Sequence, residues 1–120
     1  MDYRLFYAQG SASDGIRLVL EEIGVPYKLL QSTIERGKPR PPEQLEINPN
    51  GWVPVLMYGD NGIYECAAIT IFLCDRHPEA TLAPNLNDPK RGLYLQTLVY
   101  FSNSVQTAFQ TYYHPERFAD

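Results

Sequence analysis

The first thirty residues constrain the fold most, because they alternate between extended and helical patterns. Arg4–Tyr7 is a short apolar run that ends at a glutamine and a glycine, which is typical of a buried strand and a turn. From Ser13 or Asp14 onward, apolar residues recur with helical spacing as far as Ile23, and a glycine and a proline follow. Tyr27–Leu30 then resumes an extended run. Strand, helix and strand in this order predict a right-handed parallel unit.

The following segments extend this α/β pattern. Residues 35–44 are rich in proline and basic side chains, which predicts a loop with at most one turn of helix. Val55–Tyr58 and Ile63–Tyr64 flank Gly59–Gly62, whose glycine, aspartate and asparagine residues predict a hairpin turn. Glu65–Arg76 is almost entirely apolar and predicts a buried helix. The predicted order is strand, helix, strand, loop, strand, strand, helix.

The last third of the sequence predicts one long helix after a linker. Pro78–Pro89 carries three prolines, and apolar residues then recur every three to four positions over roughly 23 residues, or about 35 Å of helix. Aromatic side chains fall on several faces of this helix, namely Tyr94, Tyr100, Phe101, Phe109, Tyr112 and Tyr113. We therefore expect a further helical domain or another subunit to cover those faces.

Composition excludes several classes of function. The chain of 120 residues has 14 acidic and 10 basic residues and a net charge of -4, whereas a nucleic-acid-binding domain is expected to carry a basic face. No apolar run approaches membrane-spanning length and the N-terminus has no secretory pattern, so we expect a cytoplasmic protein without a membrane partner. Cys66 and Cys74 are too far apart on the predicted helix to form a disulfide, and their number and spacing suggest no metal site.

The step from Val53 to Pro54 is a candidate ligand-binding feature. An X-Pro bond is the least costly place for a cis peptide, with a trans preference of roughly 0.5 to 1 kcal/mol. A cis bond would turn the N–H and C=O of Val53 outward, where an extended ligand could pair with them as an added strand does. The alternative is a trans proline that starts a strand, and the dipeptide alone favours that alternative.

The strand order, Val53–Pro54 and Glu65–Cys66 together resemble the glutathione transferase superfamily, in particular its bacterial, beta-like members. The resemblance covers the whole chain, with further matching segments at Leu5–Tyr7, Leu20–Tyr27, Ile47–Gly51, Tyr94–Gln96, Tyr100–Phe101 and Tyr113–Arg117.

This resemblance implies an α/β fold with a thioredoxin-like βαβ-ββα domain and a four-stranded mixed sheet, followed by a linker and one long helix of an all-α domain. The implied limits are residues 1–78 for the glutathione-binding domain, 79–89 for the linker and 90–120 for the start of the helical domain.

The resemblance also implies a glutathione transferase, in which glutathione is the co-substrate and its thiol attacks a small electrophilic substrate. A thiol with a pKa near 8.5 is only slightly ionised at neutral pH, so the protein must stabilise the thiolate. Ser11 and Ser13 are the candidate catalytic residues, and the choice between them is open. Tyr7 could supply the hydroxyl instead, although a tyrosine that ends a buried strand more often belongs to the core. Either serine, or Asp14, could simply cap the helix. Ala12 occupies the place of the cysteine in beta-class members, so a mixed disulfide with glutathione cannot form at this position.

The family also implies which groups bind glutathione. Val53, with Pro54, would pair with the cysteinyl part, and the start of the helix at Glu65 and Cys66 would bind the γ-glutamyl end. Cys66 replaces the usual serine, and its thiol is a weaker hydrogen-bond donor. Glu65 could instead be a favourable first-turn charge, and Cys66 a small core residue.

Lys38, Arg40 or Trp52 would bind the glycyl carboxylate, although solvated loop charges are the alternative for the first two. Asn103 and Gln106 on the long helix could line an electrophile site between the two domains. A homodimer is possible, as is common in the family. The alternative function is a non-catalytic adaptor or subunit that keeps the fold without turnover.

Overall fold

The computed structural model describes residues 2–118. The chain consists of two compact units, and the division falls between Leu82 and Ala83, inside the predicted linker. The first unit holds the sheet and its helices, and the second is helical.

A four-stranded mixed sheet forms the centre of the first unit. Its strands are β1 (Tyr3–Tyr7), β2 (Tyr27–Gln31), β3 (Val55–Tyr58) and β4 (Asn61–Tyr64), in the spatial order β2-β1-β3-β4. β1 and β2 are parallel, whereas β3 is antiparallel to both β1 and β4. This arrangement confirms the predicted thioredoxin-like fold.

Three helices pack with the sheet: α1 (Ser13–Ile23), α2 (Pro42–Ile47) and α3 (Cys66–Arg76). α1 ends at Gly24, which adopts the left-handed conformation expected of a helix-terminating glycine. α2 has six residues and is longer than the single turn that the sequence predicts. Proline does not prevent this helix, because Pro42 lies in its first turn, where a missing N–H breaks no intrahelical bond.

Alternate side chains of the strands enter two apolar clusters, as the pleat of a β-sheet requires. The larger cluster joins β1 and β3 to α1 and α3 and consists of Tyr3, Leu5, Ile16, Leu20, Leu56, Ile69 and Leu73. The smaller cluster consists of Phe6, Val55 and Met57, with Leu30, Ile47 and Val53 packed against them. Full burial of such a side chain contributes about 1.5–3 kcal/mol, so these clusters fix the position of the sheet between its helices.

The hairpin between β3 and β4 is tighter than the predicted four-residue turn. Tyr58 pairs with Asn61, which leaves a two-residue loop that begins at Gly59. Gly59 has φ +60°, and glycine suits the positive φ that a two-residue hairpin loop needs at this position. Gly62 belongs to β4, and a Cβ there would lie 2.7 Å from Cγ1 of Ile47. The absence of a side chain at Gly62 therefore allows α2 to pack closely on β4.

The second unit is dominated by one continuous helix. It comprises α4 (Arg91–Tyr100), a π-helical segment (Phe101–Val105) and α5 (Gln106–Tyr113), which agrees with the predicted long helix. The π-helical segment was not predicted, because apolar residues every three to four positions do not distinguish an i+5 turn from an α-helical one. Within residues 2–118, no helix combines the length and the hydropathy that crossing a membrane requires.

Candidate functional site

The register of the sheet brings three separate segments to one edge. Phe6 pairs with Val55, and Val55 pairs with Tyr64. The end of β1, the start of β3 and the end of β4 therefore lie side by side. This edge therefore carries the three segments that adjoin these strand ends: the turn after β1, the Val53–Pro54 step and the start of the helix at Glu65–Cys66.

One contact joins two of these segments directly. The Cys66 thiol lies 3.9 Å from the carbonyl oxygen of Ala12 and is oriented to donate to it. The beginning of α3 thus lies beside the turn that precedes α1. Cys66 is half-buried at this contact.

The turn before α1 contains a compact network of two hydroxyl groups. The Oγ atoms of Ser11 and Ser13 lie 2.6 Å apart, and both are placed to donate to the carbonyl oxygen of Ala8, at 2.6 and 3.1 Å. Ser13 Oγ also accepts the N–H of Ala8 at 3.1 Å and is fully buried, whereas Ser11 is only partly buried. Of the two hydroxyls, that of Ser11 is therefore the more accessible to a ligand.

The first N–H groups of α1 are bonded within the same turn. The N–H of Ser13 donates to Ser11 Oγ at 3.2 Å, and the N–H of Asp14 donates to the carbonyl of Ser11 at 3.1 Å. Asp14 in turn accepts the N–H of Gly10 at 2.9 Å. Ser11 and Asp14 therefore close the turn. Because these N–H groups are occupied, stabilisation of an anion here would depend mainly on the Ser11 hydroxyl.

Val53 presents its backbone at the edge that the three segments share. The Val53–Pro54 peptide bond is cis. Within residues 2–118, neither the N–H nor the C=O of Val53 has a hydrogen-bond partner. Val53 itself is half-buried and Pro54 is buried. An extended ligand would find one free donor and one free acceptor on this residue.

The two carbonyl groups before Val53 are held by side chains that the sequence does not single out for this task. Arg40 Nε donates to the carbonyl of Gly51 at 3.0 Å. The carbonyl of Trp52 accepts from Gln44 Nε2 at 3.3 Å and from Asn48 Nδ2 at 3.4 Å.

Gln44 and Asn48 are both buried, and sequence reasoning missed them. The available signal was their spacing of four residues, which places two polar side chains on one face of a helix. That signal depends on predicting a helix at α2, where the sequence predicted mainly a loop.

The predicted ligands of the glycyl carboxylate lie in the same loop region. Besides binding Gly51, Arg40 donates from Nη1 to the carbonyls of Glu35 and Lys38, both at 2.7 Å, and so ties the loop together. Lys38 Nζ forms an exposed ion pair with Glu35 Oε2 at 3.0 Å. The Trp52 side chain is half-exposed. Binding of a carboxylate by Lys38, Arg40 or Trp52 stays a prediction.

Glu65 has the least common backbone conformation of these residues. Its φ and ψ are 83° and 119°, a region that non-glycine residues rarely occupy and that costs about 1–3 kcal/mol. Glu65 immediately precedes α3, and its side chain is exposed. Such a conformation persists only where the surrounding structure requires it, and it is common at ligand-binding sites.

The remaining candidate residues lie outside this group of contacts. Tyr7 packs against the larger core cluster, and the guanidinium of Arg17 lies 5.5 Å from its ring centre. Asn103 lies in the π-helical segment and Gln106 begins α5, both in the second unit. Their contact with an electrophile stays a prediction. In the described part of the chain, no group of three or more histidine, cysteine or acidic residues could hold a metal ion.

Comparison with known proteins identifies the class to which this fold and edge belong. The family model for the glutathione S-transferase N-terminal domain matches residues 11–76. That match spans α1 to the end of α3 and includes Ser11, Val53–Pro54 and Glu65–Cys66. The chain therefore belongs to the glutathione S-transferase superfamily.

Individual relatives agree with this assignment. A zeta-class glutathione S-transferase of Euphorbia esula is 31% identical over 100 residues, which are 83% of this chain and 44% of that protein. The structure of a glutathione transferase homologue from Sulfitobacter with bound glutathione has a TM-score of 0.83 and 25% identity, and the match covers 98% of this chain and 57% of that one. A beta-class enzyme of Sphingomonas chungbukensis has a TM-score of 0.80 and 25% identity, with coverage of 93% and 57%. This chain thus spans less than half the length of the curated relative.

Proposed function

We propose that this chain binds glutathione at the shared sheet edge and activates its thiol for attack on small electrophiles. The observation that carries the proposal is the convergence of the serine turn, Val53 and the start of α3, supported by the contact between Cys66 and Ala12. Family membership supports glutathione as the ligand, and a homologue from Sulfitobacter has bound glutathione. The site offers separate partners for the cysteinyl and γ-glutamyl parts of that tripeptide.

The cysteinyl part would pair with Val53 in the manner of an added strand. The unpaired N–H of Val53 would donate to a ligand carbonyl, and its C=O would accept a ligand N–H. The γ-glutamyl end carries a carboxylate and an ammonium. The first N–H groups of α3, a helix of 11 residues, suit the carboxylate, and the exposed carboxylate of Glu65 suits the ammonium.

Ser11 would act on the thiol. A hydroxyl that donates to the sulfur favours the thiolate over the thiol and so lowers the pKa of bound glutathione. The thiolate sulfur would then form a bond to the electrophilic carbon, and the leaving group would depart with the electron pair of the broken bond. This step requires no metal and no oxidant.

Titration calorimetry with glutathione tests the binding step. Heat of binding is expected from the folded chain, and γ-glutamyl-alanyl-glycine, which lacks the thiol, separates binding of the peptide from binding of the sulfur. No detectable heat at millimolar glutathione, from a chain shown by circular dichroism to be folded, would overturn the proposal.

A non-catalytic adaptor is the second candidate function, and Cys66 is the observation that favours it. A thiol in place of a hydroxyl is a poorer donor to the γ-glutamyl carboxylate. An enzyme must lower the pKa of the glutathione thiol, whereas an adaptor need not. Ultraviolet titration of the bound thiolate, together with turnover of a chloroaromatic electrophile, distinguishes the two.

Several further properties stay predictions. They are the domain limits 1–78, 79–89 and 90–120, a homodimeric state, a cytoplasmic location and a role in detoxification. Sedimentation equilibrium would test the homodimer directly, because a monomeric mass over a wide concentration range would contradict it.

A further inference from the structure

The peptide group between Trp52 and Val53 is held from the side of α2. Its carbonyl oxygen accepts two side-chain amide donors, Gln44 Nε2 at 3.3 Å and Asn48 Nδ2 at 3.4 Å. Both bonds are long, so each is individually weak. Together they approach one oxygen and restrict the direction in which that carbonyl can point.

The opposite end of the same peptide group is the N–H of Val53. A peptide group is planar, and in its trans form the C=O and N–H point in opposite directions. Fixing the Trp52 carbonyl toward two buried side chains therefore directs the Val53 N–H away from them. Hydrogen bonds to the carbonyl also polarise the peptide group and strengthen its N–H as a donor.

The two amide side chains are themselves held in place. Gln44 is fully buried, and its Oε1 accepts the hydroxyl of Ser32 at 2.5 Å. Asn48 is 3% exposed, and its Oδ1 accepts the N–H of Asn50 at 3.2 Å. A buried amide is costly unless its donors and acceptors are paired. Each amide therefore has one defined orientation, with its nitrogen toward the Trp52 carbonyl.

We propose that Gln44 and Asn48 are positioning residues for ligand binding, which orient and polarise the Trp52–Val53 peptide so that the Val53 N–H is a preformed donor. They act through Val53 without touching the ligand. The inference rests on the proposed function, since the ligand in question is the cysteinyl carbonyl of glutathione.

Gln44→Met tests the inference in the full chain. Methionine has a similar length and cannot donate to the Trp52 carbonyl. Glutathione binding is expected to weaken by about three- to tenfold, the effect of one modest hydrogen bond. In the unliganded protein, the carbonyl ¹³C resonance of Trp52 is expected to move upfield because that oxygen loses a donor.

Ser32→Ala is the matched control. It removes the same Ser32–Gln44 hydrogen bond that Gln44→Met removes, but it leaves the amide donor of Gln44. It is expected to change binding and the Trp52 resonance much less. Equal effects of the two variants on glutathione affinity and on the Trp52 resonance would mean that both result from general loosening around Gln44, which would overturn the inference.

A ligand analogue identifies the group on which Gln44 acts. Glutathione in which an alkene replaces the cysteinyl–glycyl peptide bond has no carbonyl for the Val53 N–H. Gln44→Met is expected to weaken binding of glutathione but not of this analogue. The same loss of affinity for both ligands would contradict a role through Val53.

The outcomes separate the two proposals. No glutathione binding by the unmodified chain overturns both. Binding by the unmodified chain with unchanged affinity in folded Gln44→Met overturns only the positioning role. If Gln44→Met does not fold, Asn48→Leu removes the other donor and is expected to give the same upfield shift and a similar loss of affinity.

Discussion

The Oγ atoms of Ser11 and Ser13 lie 2.6 Å apart and share one acceptor, the carbonyl oxygen of Ala8. Two hydroxyl protons thus serve three contacts, namely the two to the Ala8 carbonyl and the one between the two Oγ atoms, in which either oxygen can be the donor. If the Ser11 hydroxyl turned to a ligand, Ser13 could still donate to the Ala8 carbonyl. Ser13 is therefore the buried, structural hydroxyl of this pair, and Ser11 is the accessible one.

Ser11→Ala and Ser13→Ala are expected to have different effects. Ser11→Ala should raise the pKa of bound glutathione thiol and reduce turnover, with little effect on peptide affinity. Ser13→Ala should lower the free energy of unfolding by about 1–3 kcal/mol, because the buried N–H of Ala8 loses its acceptor. Thiolate absorbance and denaturant unfolding measure the two effects. A larger thiol pKa change in folded Ser13→Ala than in Ser11→Ala would reverse the assignment.

Cys66→Ser is expected to strengthen glutathione binding. A hydroxyl at the start of α3 is a better donor to the γ-glutamyl carboxylate than a thiol. A hydrogen bond to a charged group contributes about 1.5 kcal/mol or more, which corresponds to a roughly tenfold gain in affinity. Calorimetric titration measures the change. Cys74→Ser is the control, since Cys74 is buried in the same helix, and its substitution should lower stability without improving affinity. Unchanged or weaker binding in Cys66→Ser would argue against a carboxylate at this position.

The elements with strong local signals were predictable from the sequence, and those set by tertiary contacts were not. Gly24 and the apolar spacing before it correctly predicted where α1 ends. The two-residue hairpin loop was missed because its length depends on the pairing of Tyr58 with Asn61, which glycine and asparagine composition alone does not fix. α2 was underpredicted because prolines dominate its start, although its packing against Gly62 stabilises it.

The candidate site shows the same division. The resemblance to the glutathione transferase family, carried by several segments together, indicated Val53, Glu65 and the serine turn, whereas the Val53–Pro54 dipeptide alone favoured a trans proline. The sequence could not rank Ser11 against Ser13, since the difference between them is burial in the folded chain. It also missed Gln44 and Asn48, whose connection to the Trp52 carbonyl exists only after α2 packs beside β3 and β4.

Tyr3 is expected to make the stability of the folded chain depend on pH in the alkaline range. Burial raises the pKa of Tyr3 above its ordinary value, although Arg76 acts in the opposite direction. Because the pKa of Tyr3 is higher in the folded state than in the unfolded state, the neutral Tyr3 phenol contributes its full stabilisation below the unfolded-state pKa of about 10. This stabilisation is lost as the pH rises through the folded-state pKa. The melting temperature should therefore fall less between about pH 8 and about pH 11 in Tyr3→Phe than in the unmodified chain. Tyr112→Phe, which removes an exposed phenol, should follow the unmodified chain, and parallel curves for all three proteins would refute the prediction.

Glu65→Gly is expected to separate stability from ligand binding. Glycine tolerates φ 83°, so the substitution relieves the backbone strain at Glu65. Glycine also loses more conformational entropy on folding, which offsets part of this gain. The free energy of unfolding should therefore rise by about 0.5–1 kcal/mol. The same change removes the carboxylate proposed to bind the γ-glutamyl ammonium, so glutathione affinity should fall by about tenfold or more. Glu65→Gln is the matched control, because it keeps a side chain in the strained conformation and removes only the charge. It should weaken binding as much as Glu65→Gly while leaving stability unchanged. Denaturant unfolding and calorimetry measure both quantities, and full affinity in Glu65→Gln would show that the charge does not contact the ligand.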